Sequence, residues 1–303
     1  MSDDFSGGAA YVDGRYMPLG QATIPITDWG YRRSDVTYDV VSVWRGMFFR
    51  LDDHVARFRR SMDMLRLSPA ESDDDVRRIL HRCVRLSGLR ESYVAVDCLR
   101  GRPVPGKPYH PANTRNYIVA FARPWIDLMT AEVQARGAHL IVAKVPRIAE
   151  DSIDPTVKNF HWGDLTRGLF EAHDAGADGA VLIDRDGFVT EGPGYNIFSV
   201  TGGEVSTPDR GALEGVTRRS MMELCAELGI PCRARPIRVR ELLQADEIFV
   251  TTTAGGPMPV SRIEGHIMGN DRPGPLSSKL KTTFWEKREA GWHGAPVDYT
   301  AGS

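Results

Sequence analysis

The sequence predicts an α+β fold of two mixed domains with largely antiparallel sheets, and three observations carry that reading. Helix-period and strand-period segments mix without the regular strand–helix–strand alternation of a doubly wound sheet. Short β-branched runs flank tight glycine-containing turns, as antiparallel hairpins require. The stretch 123–135, opening on Arg123-Pro124, reads as a connector, dividing the chain into an N-terminal part at 1–122 and a C-terminal part at 136–303.

In the first part, residues 10–17 give two short strands around Asp13-Gly14. Residues 38–43 are rich in β-branched and aromatic side chains and read as a strand. Asp52 or Asp53 caps a helix to about residue 67, with Val55, Phe58, Met62 and Leu65 at helical spacing. A second helix covers 73–87 and stops before Gly88. Strands follow at 93–99 and 117–121, and the glycines and prolines from Gly101 to Pro111 make the segment between them a loop. Arg100, Arg102 and Lys107 make that loop cationic.

In the second part, 139–143 reads as a strand and 162–174 as a helix with Leu165, Leu169 and Phe170 facing inward. Strands at 180–183 and 188–190 flank Asp186-Gly187, and strands at 196–200 and 205–207 flank Gly202-Gly203. Residues 216–228 form an amphipathic helix with Met221, Leu224, Cys225 and Leu228 on one face and Gly229 as its stop. A strand at 247–251 and a helix at 277–288 complete the series.

The 303 residues suffice for one large domain or two ordinary ones. With 42% hydrophobic residues and a net charge of −2, the composition is that of a soluble globular protein and gives no electrostatic case for nucleic acid. No apolar run approaches the roughly 20 residues that span a bilayer, and the acidic start Met1-Ser2-Asp3-Asp4 is unlike a signal peptide. Cys83, Cys98, Cys225 and Cys232 show no CxxC spacing, which suits reduced thiols in a cytoplasmic protein. The histidines show no ligand spacing, so no metal site is expected.

Five segments carry chemistry. Asp154-Pro155-Thr156-Val157-Lys158-Asn159-Phe160 places one lysine after a proline-stiffened turn and between apolar neighbours. Desolvation lowers a lysine's pKa, which suits Schiff-base chemistry with a carbonyl or with pyridoxal phosphate. The plain alternative is a solvated surface charge. Thr190-Glu191-Gly192-Pro193-Gly194 sets a carboxylate among glycines where a ligand can approach; a pyridine nitrogen there would be held protonated. A turn glutamate is the plain alternative. Gly215-Val216-Thr217 opens a helix whose free N–H groups suit a phosphate, or it is an ordinary cap. Thr251-Thr252-Thr253-Ala254-Gly255-Gly256 ends a strand in a turn of small residues that can face an anion. Arg57, on the first long helix, pairs with a phosphate or merely with Asp53.

In order and spacing, Lys158, Glu191, Gly215-Val216-Thr217 and Thr252-Thr253-Ala254-Gly255-Gly256 resemble the class IV (fold-type IV) pyridoxal-phosphate aminotransferases. The resemblance covers nearly the whole chain, and within the family it is closest to the (R)-selective amine transaminases. Ser34-Asp35-Val36-Thr37-Tyr38-Asp39-Val40, Phe49-Arg50-Leu51-Asp52-Asp53-His54, Asp154-Pro155-Thr156-Val157-Lys158-Asn159 and Trp162-Gly163-Asp164-Leu165 belong to that likeness.

The resemblance implies a small N-terminal domain, a larger cofactor-binding C-terminal one, pyridoxal 5'-phosphate in the cleft between them, and a homodimer. Lys158 would form the internal aldimine and shuttle the proton, and Glu191 would pair with the pyridine nitrogen. Arg57, Val216, Thr217, Thr252 and Thr253 would hold the cofactor's phosphate end. Tyr38, Val40, Trp162 and Ala254 would line the substrate pockets. Arg33 stands where relatives often carry histidine, and a guanidinium there favours a carboxylate-bearing substrate; Arg102 is the candidate to greet a keto acid. Pro193 replaces a small residue. The implied activity is ping-pong transfer of an amino group from an (R)-configured amine to a keto acid such as pyruvate. The alternatives are a branched-chain or D-amino acid aminotransferase and, further off, a lyase.

Overall fold

A computed structural model describes residues 4–300. The chain divides into two compact units, Met1–Ile126 with Val157–Phe160 and Gly291–Ser303, and Asp127–Thr156 with His161–Ala290.

The first unit holds strands β1 (Ala9–Val12), β2 (Arg15–Pro18), β3 (Val36–Trp44), β4 (Met47–Phe49), β5 (Ser92–Leu99) and β6 (Tyr117–Pro124), and helices α1 (Trp29–Arg33), α2 (Leu51–Met64) and α3 (Asp73–Ser87). The β1–β2 turn needs positive φ at both central residues, which Asp13 and Gly14 supply at 44° and 89°. The sheet runs β4-β3-β5-β6-β1-β2, with the strand Gly294–Pro296 added outside β4, and every pairing is antiparallel.

Period-two alternation gives β3 two faces. Val41 and Val43 join Val94, Val96 and Ile118 in a core closed by Val55, Phe58 and Met62 of α2 and by Val76, Leu80 and Val84 of α3. Tyr38 and Val40 occupy the other face. The expected cap of α2 is corrected: Arg50, at φ 51°, is the N-cap, while Asp52 and Asp53 sit in the first turn. There their charge still favours the positive end of the helix. The helix ends at Met64, short of 67. For α3, Ser72 and Asp75 form a reciprocal capping box and Gly88 ends the helix at φ 68°.

The second unit holds β7 (Ala138–Val142), β8 (Gly179–Val181), β9 (Asn196–Thr201), β10 (Glu204–Thr207), β11 (Cys232–Ala234), β12 (Glu247–Thr252), β13 (Gly256–Ile263) and β14 (His266–Ile267). Its helices are α4 (Ala131–Arg136), α5 (Gly163–Asp174), α6 (Val216–Glu227), α7 (Val239–Leu243) and α8 (Pro275–Glu289). The sheet order is β11-β10-β9-β12-β13-β7-β8, with β14 on β13. Here β10–β11, β13–β7 and β7–β8 are parallel and the other pairs antiparallel. The class is α+β, as the mixed pattern implies.

Two expectations fail here for physical reasons. Leu169 and Phe170 of α5 are exposed by 42% and 65%, and only Leu165 of the expected trio is buried. The helix packs instead on Leu165, Gly168 and Ala172. A Cβ at Gly168 would stand 2.9 Å from Leu182 Cδ1, so a close approach of backbone replaces large side chains. Residues 188–190 are not a strand but make single bridges, Ile183 with Val189 and Phe188 with Arg238. β13 is hard to read from the sequence because Pro257 and Pro259 argue against a strand interior. They are tolerated because β7 pairs with β13 only from Val260 onward, leaving one edge of the proline segment without that ladder.

Candidate active site

Lys158 is built into the first unit through its backbone. Its carbonyl accepts hydrogen bonds from Tyr38 N at 3.0 Å and Thr37 Oγ1 at 2.7 Å, and Asn159 bridges Thr37 on β3. Its own N–H donates to Ser61 Oγ at 3.4 Å, one turn along α2 from Arg57. The side chain is half-buried, with Nζ 4.2 Å from the centroid of the Tyr38 ring, on whose edge Phe160 packs at 5.0 Å. Val157 is buried, whereas Phe160 is 40% exposed, so the apolar flanking expected on both sides is tight on one side only.

Behind this lysine lies a buried charge cluster. Asp39 accepts two bonds from Arg57, from Nε and Nη2, both at 2.8 Å, and one from His54 Nδ1 at 2.7 Å. Burial pushes the Asp39 carboxyl up, but the Arg57 and His54 interactions outweigh it and hold the acid below the usual carboxylate range. Burial lowers His54, against the pull of Asp39, so a neutral ring donating from Nδ1 fits the cluster. Arg57 thus pairs with Asp39 on the facing strand, with the Asp53 charge adding to the pull. A bidentate partner fixes the guanidinium plane, so Asp39 aims Arg57. Asp39→Asn is expected to lower stability by about 3–5 kcal/mol, because it leaves a buried guanidinium without its counter-charge. A melting curve unchanged by that substitution would refute the role.

Arg33 and Arg102 form a separate group. Arg33 stacks on Trp29 at 3.5 Å and donates from Nη2 to Tyr109 Oη at 3.1 Å. Trp29 N donates to Gly101 O, joining α1 to the loop that carries the exposed Arg102. Arg100 leaves the expected cationic set: it is buried, ion-paired with Asp35, and donates to the carbonyls of Leu65 and Arg66.

In the second unit Glu191 is 7% exposed. Its Oε1 accepts from Arg147 Nη2 at 3.0 Å and its Oε2 from Leu213 N at 3.0 Å. Arg147 also donates from Nη1 to Asp164 Oδ2 at 2.6 Å. Burial opposes the Arg147 charge, yet Glu191 and Asp164 together raise its pKa. A Cβ on Gly192 would lie 2.1 Å from the Tyr195 ring, which explains a glycine beside the carboxylate. Trp162 lies against Gly194, 3.7 Å from where its Cβ would stand, and Ala254 O accepts from Leu128 N nearby on the same unit.

The start of α6 is open to an anion. Gly215 is its N-cap without a side-chain cap, so the first N–H groups, including those of buried Val216 and Thr217, have no capping side chain. A Cβ at Gly215 would come within 2.0 Å of Asn196 Oδ1. Asn196 faces Thr251 across β9 and β12, and Thr251 Oγ1 is a buried hydroxyl without a hydrogen-bond partner among the described residues. Thr252 Oγ1 accepts a long bond from Ala254 N, and Thr253 and Ala254 are half-buried. An uncapped helix start, an orphaned hydroxyl and a buried carboxylate ion-paired with Arg147 fit a phosphorylated ring with a basic nitrogen. No group of residues suited to a metal ion occurs among the described residues.

A family model described as amino-transferase class IV matches residues 37–263. The chain belongs to the class IV aminotransferases. It is 29% identical over 280 residues to a putative branched-chain-amino-acid aminotransferase of Methanocaldococcus jannaschii, covering 92% of this chain and 96% of that one. It is also 29% identical over 274 residues to the D-alanine aminotransferase of Bacillus licheniformis, covering 90% and 94%. The T.th. branched-chain amino acid aminotransferase, solved with pyridoxamine 5'-phosphate, superposes with a TM-score of 0.87 at 25% identity, covering 97% of this chain and all of that one. Within this class IV chain the sequence reading gives no role of their own to Asp39, His54 and Asn196, names Thr251 only as part of a strand end, and misses Arg147. His54 and Arg57 share a face of α2 at i, i+3, which is a usable signal; Arg147 is distant from both of its carboxylates and has none.

Proposed function

We propose that this class IV aminotransferase carries the amino group of an (R)-configured primary amine to a keto acid such as pyruvate by a ping-pong cycle. The cofactor is pyridoxal 5'-phosphate, which supplies an electrophilic carbonyl and a ring that takes up charge from the reacting carbon. Lys158 Nζ would hold that carbonyl, and once freed by an incoming amine it would be the base placed to move a proton at the reacting carbon. Glu191, ion-paired with Arg147, would face the ring nitrogen and favour its protonated form. Arg57, aimed by Asp39, together with Val216, Thr217, Thr252 and Thr253, holds the phosphate. Tyr38, Val40, Trp162 and Ala254 line the substrate pockets, and Arg33 and Arg102 meet the carboxylate of the keto acid. The same reading has the chain act as a homodimer in the cytoplasm. No helix among the described residues is long and apolar enough to cross a membrane.

The observation that carries the proposal is the Lys158 amine resting on the Tyr38 ring while its carbonyl is tied to β3. The test follows loss of the absorbance of the lysine-bound cofactor with (R)-1-phenylethylamine, its (S)-enantiomer, L-leucine and D-alanine in turn. Fastest loss with the (R)-amine is expected. An inert amine beside a reactive amino acid would replace this reading with an amino acid aminotransferase. That second reading is favoured by Arg33 and by the similarity to branched-chain and D-alanine aminotransferases.

A further inference from the structure

Asp97 takes no part in the chemistry assigned above. It lies in β5 directly across from Tyr38 on β3 and from Val119 on β6, so its side chain projects from the same face of the sheet as the Tyr38 ring, over which Lys158 Nζ rests. Directly opposed residues bring their Cβ atoms within about 5 Å, which puts the Asp97 carboxyl one side-chain length from the group that carries the amine. Val40 and Ala95, the next opposed pair on that face, are apolar. The Asp97 carboxyl makes no hydrogen bond or ion pair with any described residue. Burial alone lifts it to about 7. A half-buried carboxyl without a partner is unfavourable for folding, and a group in that condition beside candidate catalytic residues is where a ligand is met.

We propose that Asp97 is a specificity-determining residue of the substrate pocket, a charge filter that disfavours donors presenting a carboxylate toward Tyr38. The inference rests on the aminotransferase reading and deepens it. Lys158 is common to every donor and therefore cannot discriminate between them. The other groups on this face and the elements packed against it are the phenols of Tyr38, Tyr93 and Tyr117, Arg123 opposite Tyr93, and Asp28 and Arg33 at α1. Burial pushes Tyr93 and Tyr117 upward, away from neutral pH, and Asp28 is bonded to the Tyr117 hydroxyl. Asp97 is the member of this set that changes charge near neutrality, so the filter strengthens as pH rises.

The test uses the holoenzyme, wild type, Asp97→Asn and Asp97→Leu, with (R)-1-phenylethylamine, D-alanine, and D- and L-glutamate as donors at about pH 6 and 8. In the wild type, the kcat/KM of at least one carboxylate-bearing donor relative to the amine is expected to fall as pH rises. Asp97→Asn should raise that ratio at the higher pH by on the order of tenfold and remove its pH dependence, with Asp97→Leu behaving alike. Ratios equal in all three proteins, a pH dependence that survives in Asp97→Asn, or equal loss for every donor would overturn the proposal. If no donor consumes the lysine-bound cofactor in the wild type, the aminotransferase reading itself fails; reaction with unaltered selectivity in the variants defeats only the filter.

Discussion

Lys158→Ala is expected to abolish amino-group transfer, by on the order of 10⁴-fold or more, while the protein stays folded. The two halves of that statement have separate grounds. Chemistry needs an amine that can both bond to the cofactor carbonyl and move a proton, and alanine offers neither. Folding uses the backbone of residue 158: its carbonyl is bound by Tyr38 N and Thr37 Oγ1, and its N–H reaches Ser61. The substitution removes an ammonium from above the Tyr38 ring, an interaction worth roughly 0.5–1 kcal/mol at such a site. Activity and a melting curve measured on the same preparation check both halves. Turnover retained in the folded variant would remove Lys158 from the mechanism.

Glu191→Gln is expected to slow the amine half-reaction by on the order of 10²–10³-fold, the scale of losing one preorganised charge interaction. Glutamine keeps the size of the side chain and can still accept from Leu213 N, so the local fold should persist. What it loses is the negative charge that matches a protonated ring nitrogen. Arg147 keeps its ion pair with Asp164 and loses the one with residue 191. Arg147→Met is therefore expected to give a milder slowing, because it removes the cation paired with Glu191 but leaves the carboxylate. Single-turnover rates for the two variants check the order; a Glu191→Gln enzyme as fast as wild type would contradict the pyridine-nitrogen role.

Asp97 also yields a stability prediction independent of substrate. Its folded-state pKa, about 7, lies above the ordinary aspartate value of about 4. The folded protein therefore favours the protonated acid, and the stability this contributes is present at low pH and lost as pH rises from about 4 through 7. The gain in Tm on Asp97→Asn should accordingly grow across that window and level off above it. A gain independent of pH would show that the carboxyl titrates normally.

The parts of this molecule legible in its sequence are those governed by local chemistry. Gly88 marks the end of α3 because a left-handed stop needs a particular residue, and Asp13-Gly14 marks a hairpin for the same reason. Contiguous motifs around Lys158, Glu191 and Gly215 carry the family likeness. Long-range pairing leaves weaker traces. Nothing near Arg147 announces that it joins Asp164 to Glu191, and Asp39 resembles any strand residue until α2 brings His54 and Arg57 to it. The inward face of α5 eludes a periodicity argument, which favours large apolar residues, whereas Gly168 and Ala172 pack by closeness. The uncapped start of α6 shows only when the absence of a capping side chain can be seen.

The central claim is that Lys158 bonds the cofactor. The chain has six lysines, Lys107, Lys144, Lys158, Lys279, Lys281 and Lys287, so the claim can be resolved residue by residue. Purified protein would be loaded with pyridoxal 5'-phosphate, treated with borohydride to reduce the cofactor–lysine bond, digested, and its peptides weighed by mass spectrometry. The phosphopyridoxyl mass is expected on the peptide containing Lys158, and it should disappear when a reactive amine donor is added before reduction. Stoichiometric label on any of the other five lysines, or no label on a protein that transfers amino groups, would contradict the claim.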